Sequence, residues 1–260
     1  MPSDLLAELL AGALDDAAER QSRRSLRDVE RAALDRPGAI DALDALAPAD
    51  RVKIIAEVKR ASPSRGPLAE IADPAALAAS YADGGASAVS VLTEGRRFGG
   101  SLDDLRRVRD AVEIPVLRKD FIADRYQVFE ARAAGADLVL LIVAALDQRT
   151  LESLHGLVQD LGMTALVETH SGDELSRALD IGAGLIGVNA RNLSTFELDQ
   201  NLFGSLAERI PDGVIRVAES AVKTADDVAR YRADGADVVL VGEALVTSDP
   251  LRTLSEFLAV

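Results

Sequence analysis

"AAGADLVLLIV", residues 133–143, joins a Gly-Ala turn to a run of aliphatic and β-branched residues. The glycine reads as the C-cap of a preceding helix, and the run as a strand buried on both faces. Three more segments repeat the pattern: "DGGASAVSVLT" (83–93), "DIGAGLIGVNA" (180–190) and "ADGADVVLVGE" (233–243). Their spacing of about 50 residues is roughly twice one strand–helix unit. Four further strand candidates fall before and between them: "KIIAEVK" from Lys53, "IPVLRKDF" from Ile114, "MTALVET" from Met163 and "GVIRVAES" from Gly213. Helical patterns separate the strands, for example "DPAALAASYADG", "SLDDLRRVRDAV", "DRYQVFEARAAG", "DQRTLESLHGLVQDLG" and "KTADDVARYRADG". Several open on a Ser or Asp able to cap a helix, and several close on Gly. Eight strands alternating with helices predict a closed (β/α)8 TIM barrel of the α/β class. An open doubly wound sheet would want a Gly-rich fingerprint after the first strand, and "KRASPSRG" (59–66) is not one.

The reading is of one barrel domain over residues 1–260, with 1–52 as an N-terminal helical extension outside the eightfold pattern. There Leu5, Leu6, Leu9, Leu10, Ala13, Leu14 and Ala17 make an amphipathic stripe. It predicts a helix closing one end of the barrel; a roof over an active site is the alternative.

Composition bounds the chemistry. The chain has no cysteine, which excludes disulfides, thiolate metal sites and a thiol nucleophile. His155 and His170 are its two histidines, too few for a histidine-rich metal cluster. A net charge of -14 without a dense basic patch argues against nucleic acid as a partner. The acidic start lacks a basic n-region, and the apolar run 138–146 is too short to span a bilayer. These features predict a cytoplasmic protein with no membrane partner.

A barrel of this kind keeps its chemistry at the C-terminal strand ends. In chain order those ends carry Glu57 and Lys59, Thr93 and Glu94, Lys119 and Asp120, an apolar Leu141–Val143, Glu168, Asn189 and Arg191, Glu219 and Ser220, then Gly242 and Glu243. Strand side chains alternate with period two, so Glu57 and Lys59 face the same way. Charged groups are rarely buried unless paired, and a ring of them at one mouth points to a site rather than to packing. A structural ion pair is the bland account of Glu57 with Lys59, and an exposed turn the bland account of Lys119–Asp120. His170 reads as a loop residue and His155 as a surface position on a helix. Asp103, Asp104, Asp226 and Asp227 sit in first helical turns, where the helix dipole favours them.

Six motifs at consecutive strand ends, "IAEVKRASPSRG", "VLTEGRRFGGSLDDL", "PVLRKDFI", "ALVETH", "IGVNARNL" and "AESAVKT", together resemble the indole-3-glycerol phosphate synthase family of tryptophan biosynthesis. The resemblance runs from Lys53 to about Val246 with the motifs in order. It implies a (β/α)8 lyase acting on 1-(2-carboxyphenylamino)-1-deoxyribulose 5-phosphate by ring closure, decarboxylation and dehydration, with no metal or organic cofactor. It implies a phosphorylated small molecule as partner and a monomer or weak homo-oligomer.

Position by position, the resemblance makes Lys119 the general acid of ring closure, although it allows Lys59, which contacts the carboxylate, to be that acid instead. Glu57 holds Lys59, Glu168 serves dehydration, Asn189 orients hydroxyls, and Glu219 with Ser220 completes the polar wall. Ser220, Ala221, Gly242 and Glu243 stand where a barrel binds phosphate, near the last two strands, with Ser62 and Arg191 as further donors. "ASPSRG" (61–66) reads as a mobile loop able to close over it. Phe98, Phe121 and Leu193 match the apolar pocket for the aromatic ring. The family's usual Glu-Ser-Gly after the seventh strand is here Glu219-Ser220-Ala221, and alanine predicts an ordinary negative φ at 221. The nearest alternative is another phosphate-binding barrel such as phosphoribosylanthranilate isomerase, which wants a Cys-Asp pair this chain lacks. A Schiff-base aldolase using Lys119 and an inactive binding scaffold are the others.

Overall fold

The structure is a computed structural model, and it describes residues 5–192 and 197–260. Three helices come first: α1 (Leu5–Arg23), α2 (Leu26–Leu34) and α3 (Ala42–Leu46). The chain then runs β1 (Lys53–Val58), a hairpin of β2 (Ala61–Ser62) and β3 (Gly66–Pro67), α4 (Pro74–Asp83), β4 (Ala88–Leu92), α5 (Leu102–Ala111), β5 (Val116–Lys119) and α6 (Arg125–Ala134). It continues through β6 (Leu138–Ile142), α7 (Gln148–Asp160), β7 (Thr164–Thr169), α8 (Gly172–Asp180), β8 (Leu185–Asn189) and α9 (Leu202–Ala207). The last elements are β9 (Ile215–Glu219), α10 (Ala225–Ala233), β10 (Val238–Val241), α11 (Glu243–Val246) and α12 (Pro250–Leu258). All strands except the β2–β3 hairpin close into one parallel barrel, with β1 joined to both β4 and β10. The eight strands expected from the sequence are these eight.

The Gly-Ala turns act as expected. Gly135 and Gly235 take φ of +95° and +93°, and the N–H of the following alanine donates to Ala131 O (3.0 Å) and Tyr231 O (2.9 Å). A left-handed glycine ends the helix and satisfies a carbonyl that would otherwise be orphaned. The helix starts are capped by Asp73, Ser101, Asp124, Asp147 and Thr224.

Strand parity sorts the core. Ile55, Leu117, Leu140, Leu166, Leu185, Val217 and Leu240 belong to the cluster inside the barrel. Their neighbours Ile54, Val116, Leu141, Val167, Ile186, Ala218 and Val239 belong to the layer between barrel and helices. Both faces are buried, which explains why the strands read as continuous apolar runs. Two residues beyond Ile55, Leu117, Leu166 and Val217 come Glu57, Lys119, Glu168 and Glu219, so parity alone aims all four inward.

Two of the N-terminal helices lie at opposite ends of the barrel. Ala42 and Leu46 of α3 are fully buried in the inner cluster, and Lys53 Nζ donates to Ala45 O at 2.8 Å, so α3 seals the end where the strands begin. The apolar stripe of α1 lies at the opposite end. Arg96 and Arg97, just past β4, pair with Asp16 and Glu8 of α1 at 2.6 Å each. Leu6, Leu9 and Ala13 join Phe121 and Ile142 in the inner cluster. Among the described residues, no helix is long and apolar enough to cross a membrane.

Candidate active site

The C-terminal strand ends open into a cavity of about 290 Å³. Glu57, Lys59, Ser62, Phe98, Lys119, Phe121, Glu168, Asn189, Arg191, Glu219, Ser220, Ala221, Gly242 and Glu243 all line it. Leu193 lies outside the described residues. No described residue of α1 lines the cavity, so this helix borders the mouth without roofing it.

Two charged clusters face one another. In the first, Lys59 Nζ sits 2.7 Å from Glu57 Oε1, and Ser90 Oγ donates to Glu57 Oε2 at 3.3 Å. Burial works against the Glu57 carboxylate, but Lys59 and Lys119 outweigh it and hold its pKa below the ordinary value. In the second, Lys119 Nζ bridges Glu219 Oε2 at 2.5 Å and Glu168 Oε2 at 3.3 Å. Burial disfavours the Lys119 ammonium, yet Glu219, Glu168 and Glu57 together raise its pKa. Two buried carboxylates beside one ammonium cannot both ionise freely. Burial and repulsion from Glu168 push Glu219 up to about 8 against the pull of Lys119. Glu168 stays below its ordinary value, because Lys119 and His170 outweigh its burial. Between the two carboxyls a proton is therefore favoured on Glu219 over Glu168.

Asn189 Oδ1 accepts from Ser220 Oγ (2.7 Å) and from the N–H of Arg191 (3.0 Å), tying the ends of β8 and β9 together. Ser62, on the β2–β3 hairpin, has a buried hydroxyl with no partner among the described residues, where a ligand oxygen could bind. The segment expected as a mobile loop forms this short hairpin, and its Arg65 pairs with Glu243 at 2.9 Å. Burial lowers the pKa of Arg191, with Arg65 adding to that effect and Glu243 opposing it. Phe98 and Phe121 face each other with ring centroids 6.2 Å apart, an apolar wall suited to an aromatic ring.

Two expectations are overturned. Ala221 has φ of +58°, not a negative value, and Ser220 before it has +69°. Consecutive left-handed residues turn the chain sharply off β9. The hydroxyl of Tyr231 donates to Ser220 O (3.2 Å), while Ser220 is anchored to Asn189, so tertiary bonds hold a turn that alanine disfavours. His155, on α7, is buried rather than at the surface, and burial lowers its pKa.

Other site features escaped the sequence reading. Gly187, in the interior column of β8, leaves space that the Glu219 carboxylate fills, and Gly242 does the same for Glu57. A glycine inside an aliphatic strand run was the available signal. Arg118, adjacent to Lys119 but of opposite parity, is fully buried between barrel and α6. It donates to Asp120 (2.9 Å) and Glu130 (3.1 Å), and Arg20 of α1 pairs with the same Glu130 at 2.6 Å. Asp120 is therefore a buried network member, not an exposed turn residue.

The indole-3-glycerol phosphate synthase family model matches residues 6–257. An indole-3-glycerol phosphate synthase of Leifsonia xyli is 73% identical over 100% of both chains. Indole-3-glycerol phosphate synthase 1 of Streptomyces coelicolor is 57% identical, over 98% of this chain and 95% of that one. Among solved structures, a thiamine phosphate pyrophosphorylase from Pyrococcus furiosus superposes with a TM-score of 0.60 at 15% identity, over 79% of this chain and 93% of that one. An N-acetylmannosamine-6-phosphate 2-epimerase from Clostridium perfringens reaches 0.61, also at 15% identity, over 82% and 93%. These two share the fold alone.

Proposed function

This chain belongs to the indole-3-glycerol phosphate synthase family, and from that membership we propose how its cavity performs the family's reaction. The substrate, 1-(2-carboxyphenylamino)-1-deoxyribulose 5-phosphate, places its aromatic ring against Phe98 and Phe121 and its phosphate by Ser62, Arg191 and the Ser220–Ala221 turn. Lys59, held by Glu57, receives the carboxylate. Lys119 donates a proton to the carbonyl oxygen as the ring carbon attacks, and carbon dioxide then leaves. Glu168 takes a proton from the ring methylene as the hydroxyl departs as water. Asn189 and Ser220 orient the hydroxyl groups, and Glu243 keeps the hairpin's Arg65 over the phosphate.

The carrying observation is Lys119 bridging Glu168 and Glu219 inside the same cavity that holds the Glu57–Lys59 pair. One acid and one base within reach of a single ligand suit two successive proton transfers, each contributing roughly 10²–10⁴-fold in rate. We take the protein to be cytoplasmic and a monomer or weak homo-oligomer. The test is direct: indole absorbance and fluorescence should appear when protein and substrate are mixed. Borohydride should trap no substrate on Lys119, which separates this reading from a Schiff-base aldolase.

A further inference from the structure

The reaction has a proton balance that the cavity alone does not meet. The carboxylate leaves as neutral carbon dioxide, and the electron pair of its bond returns to the ring, so that step releases no proton. The carbonyl oxygen leaves as water with two protons. One is matched by the proton lost from the ring methylene. The other must come from solvent in every turnover. The groups that need it are buried, Glu168 being 2% and Lys119 13% exposed, and substrate placed as proposed above would fill the open side of the cavity they line.

A second approach to Glu168 exists. His170, two residues past Glu168, does not line the cavity. Its Nε2 faces Glu168 Oε1 at 3.4 Å, and its Nδ1 faces Glu174 Oε2, on α8, at 3.2 Å. Neither Glu168 Oε1 nor His170 Nε2 has a hydrogen-bond partner among the described residues. The side chain of Glu174 is 19% exposed and meets solvent. Glu174, His170, Glu168 and Lys119 thus form a file from the surface to the acid, with gaps of 3.2, 3.4 and 3.3 Å. Such bonds are commonly long in an unliganded site and tighten with substrate bound. The ionisable groups around the imidazole are all acidic: Glu168 from β7, Glu174 from α8 and Glu219 from β9. Burial disfavours its charge, but Glu174, Glu168 and Glu219 outweigh that and raise its pKa.

We infer that His170 is a positioning and proton-conducting residue that resupplies Glu168 and Lys119 from solvent through Glu174. The imidazolium gives its Nε2 proton to Glu168 Oε1 and keeps the one on Nδ1; a turn of the ring then brings the bare Nε2 to Glu174 or water, where it is reprotonated before the ring turns back. No atom other than that one solvent proton enters. The inference rests on Glu168 being the acid–base carboxylate proposed above.

The test compares His170→Asn and Glu168→Gln in steady-state and single-turnover assays, at low and high concentrations of imidazole buffer. His170→Asn should lower kcat about tenfold in weak buffer with KM within about twofold, less than the loss of a direct acid or base because His170 acts only through Glu168. Imidazole, a diffusible proton carrier, should restore most of that rate, which it would not do for a packing defect. Full rate in His170→Asn at every buffer concentration overturns the conduit. A loss that imidazole does not restore overturns it equally, in favour of a packing role. Glu168→Gln separates the two levels: if that variant still dehydrates the intermediate, the assignment of Glu168 fails. If it does not, and His170→Asn is unimpaired, only the conduit fails.

Discussion

Gly187 on β8 is shaped by Glu219 on β9: a β-carbon at 187 would overlap Glu219 Oε1. Two columns of the barrel interior compete for one volume, and the glycine yields it to the carboxylate that contacts Lys119. Gly187→Ala should push Glu219 off Lys119. Because a carboxylate at the end of a flexible side chain can move, the loss should fall on catalysis more than on folding. A misplacement of about 1 Å can cost on the order of 10²-fold. We expect kcat to fall by about 10- to 100-fold with a nearly unchanged thermal midpoint, read by steady-state kinetics and calorimetry. An unimpaired kcat would mean that Glu219 can be displaced without consequence.

Lys119→Ala should abolish turnover while substrate affinity stays within about tenfold, since the lost interaction develops in the transition state. Lys119→Arg should not restore it, because guanidinium is too weak an acid to release a proton. Substrate binding by calorimetry beside turnover measures both. Appreciable turnover by the Arg variant removes Lys119 from the acid role.

Glu168→Gln should stall the reaction after ring closure. Carbon dioxide release in a single turnover should persist while indole formation stops, leaving a decarboxylated, hydrated intermediate. Equal loss of both signals assigns Glu168 to an earlier step.

The raised pKa of Glu219, about 8, makes stability depend on pH. Unfolded, a glutamate titrates near ~4.3. Between the two values the folded protein binds more protons than the unfolded chain, so stability falls as pH rises. The contribution is fully present below the unfolded value and is lost as pH climbs through about 8. Glu219→Gln removes this titration. Urea midpoints from acid to mildly alkaline pH should show the variant gaining on the parent as pH rises. A constant difference would place the proton elsewhere in the Glu168–Glu219 pair.

Ala221 occupies a left-handed conformation that costs a non-glycine residue about 1–2 kcal/mol. Glycine relieves that and gives back roughly 0.5–1 kcal/mol in chain entropy. Ala221→Gly should therefore stabilise the protein by up to about 1.5 kcal/mol, with kcat within a few-fold. Ala221→Leu should raise KM by crowding the phosphate. If the Leu variant binds substrate as the parent does, the phosphate site centres on Ser62 and Arg191 instead.

The sequence by itself determined the barrel and the inward ring. Glycine turns, caps and aliphatic runs act over a few neighbouring residues, and period-two parity carries Glu57, Lys119, Glu168 and Glu219 inward once Ile55, Leu117, Leu166 and Val217 are inside. These are local consequences of backbone geometry, and they need no knowledge of what lies opposite. Tertiary structure alone decided which inward groups meet. The contact of Lys119 with Glu219 spans 100 positions of sequence, and that of Arg20 with Glu130 spans 110. Burial of His155 on α7 and the placement of α1 beside the mouth, with α3 as the seal, depend on surfaces supplied by other elements. So does the left-handed turn at Ser220–Ala221. Its local preference is unfavourable, and it persists because Tyr231 and Asn189 hold it in place from elsewhere in the chain.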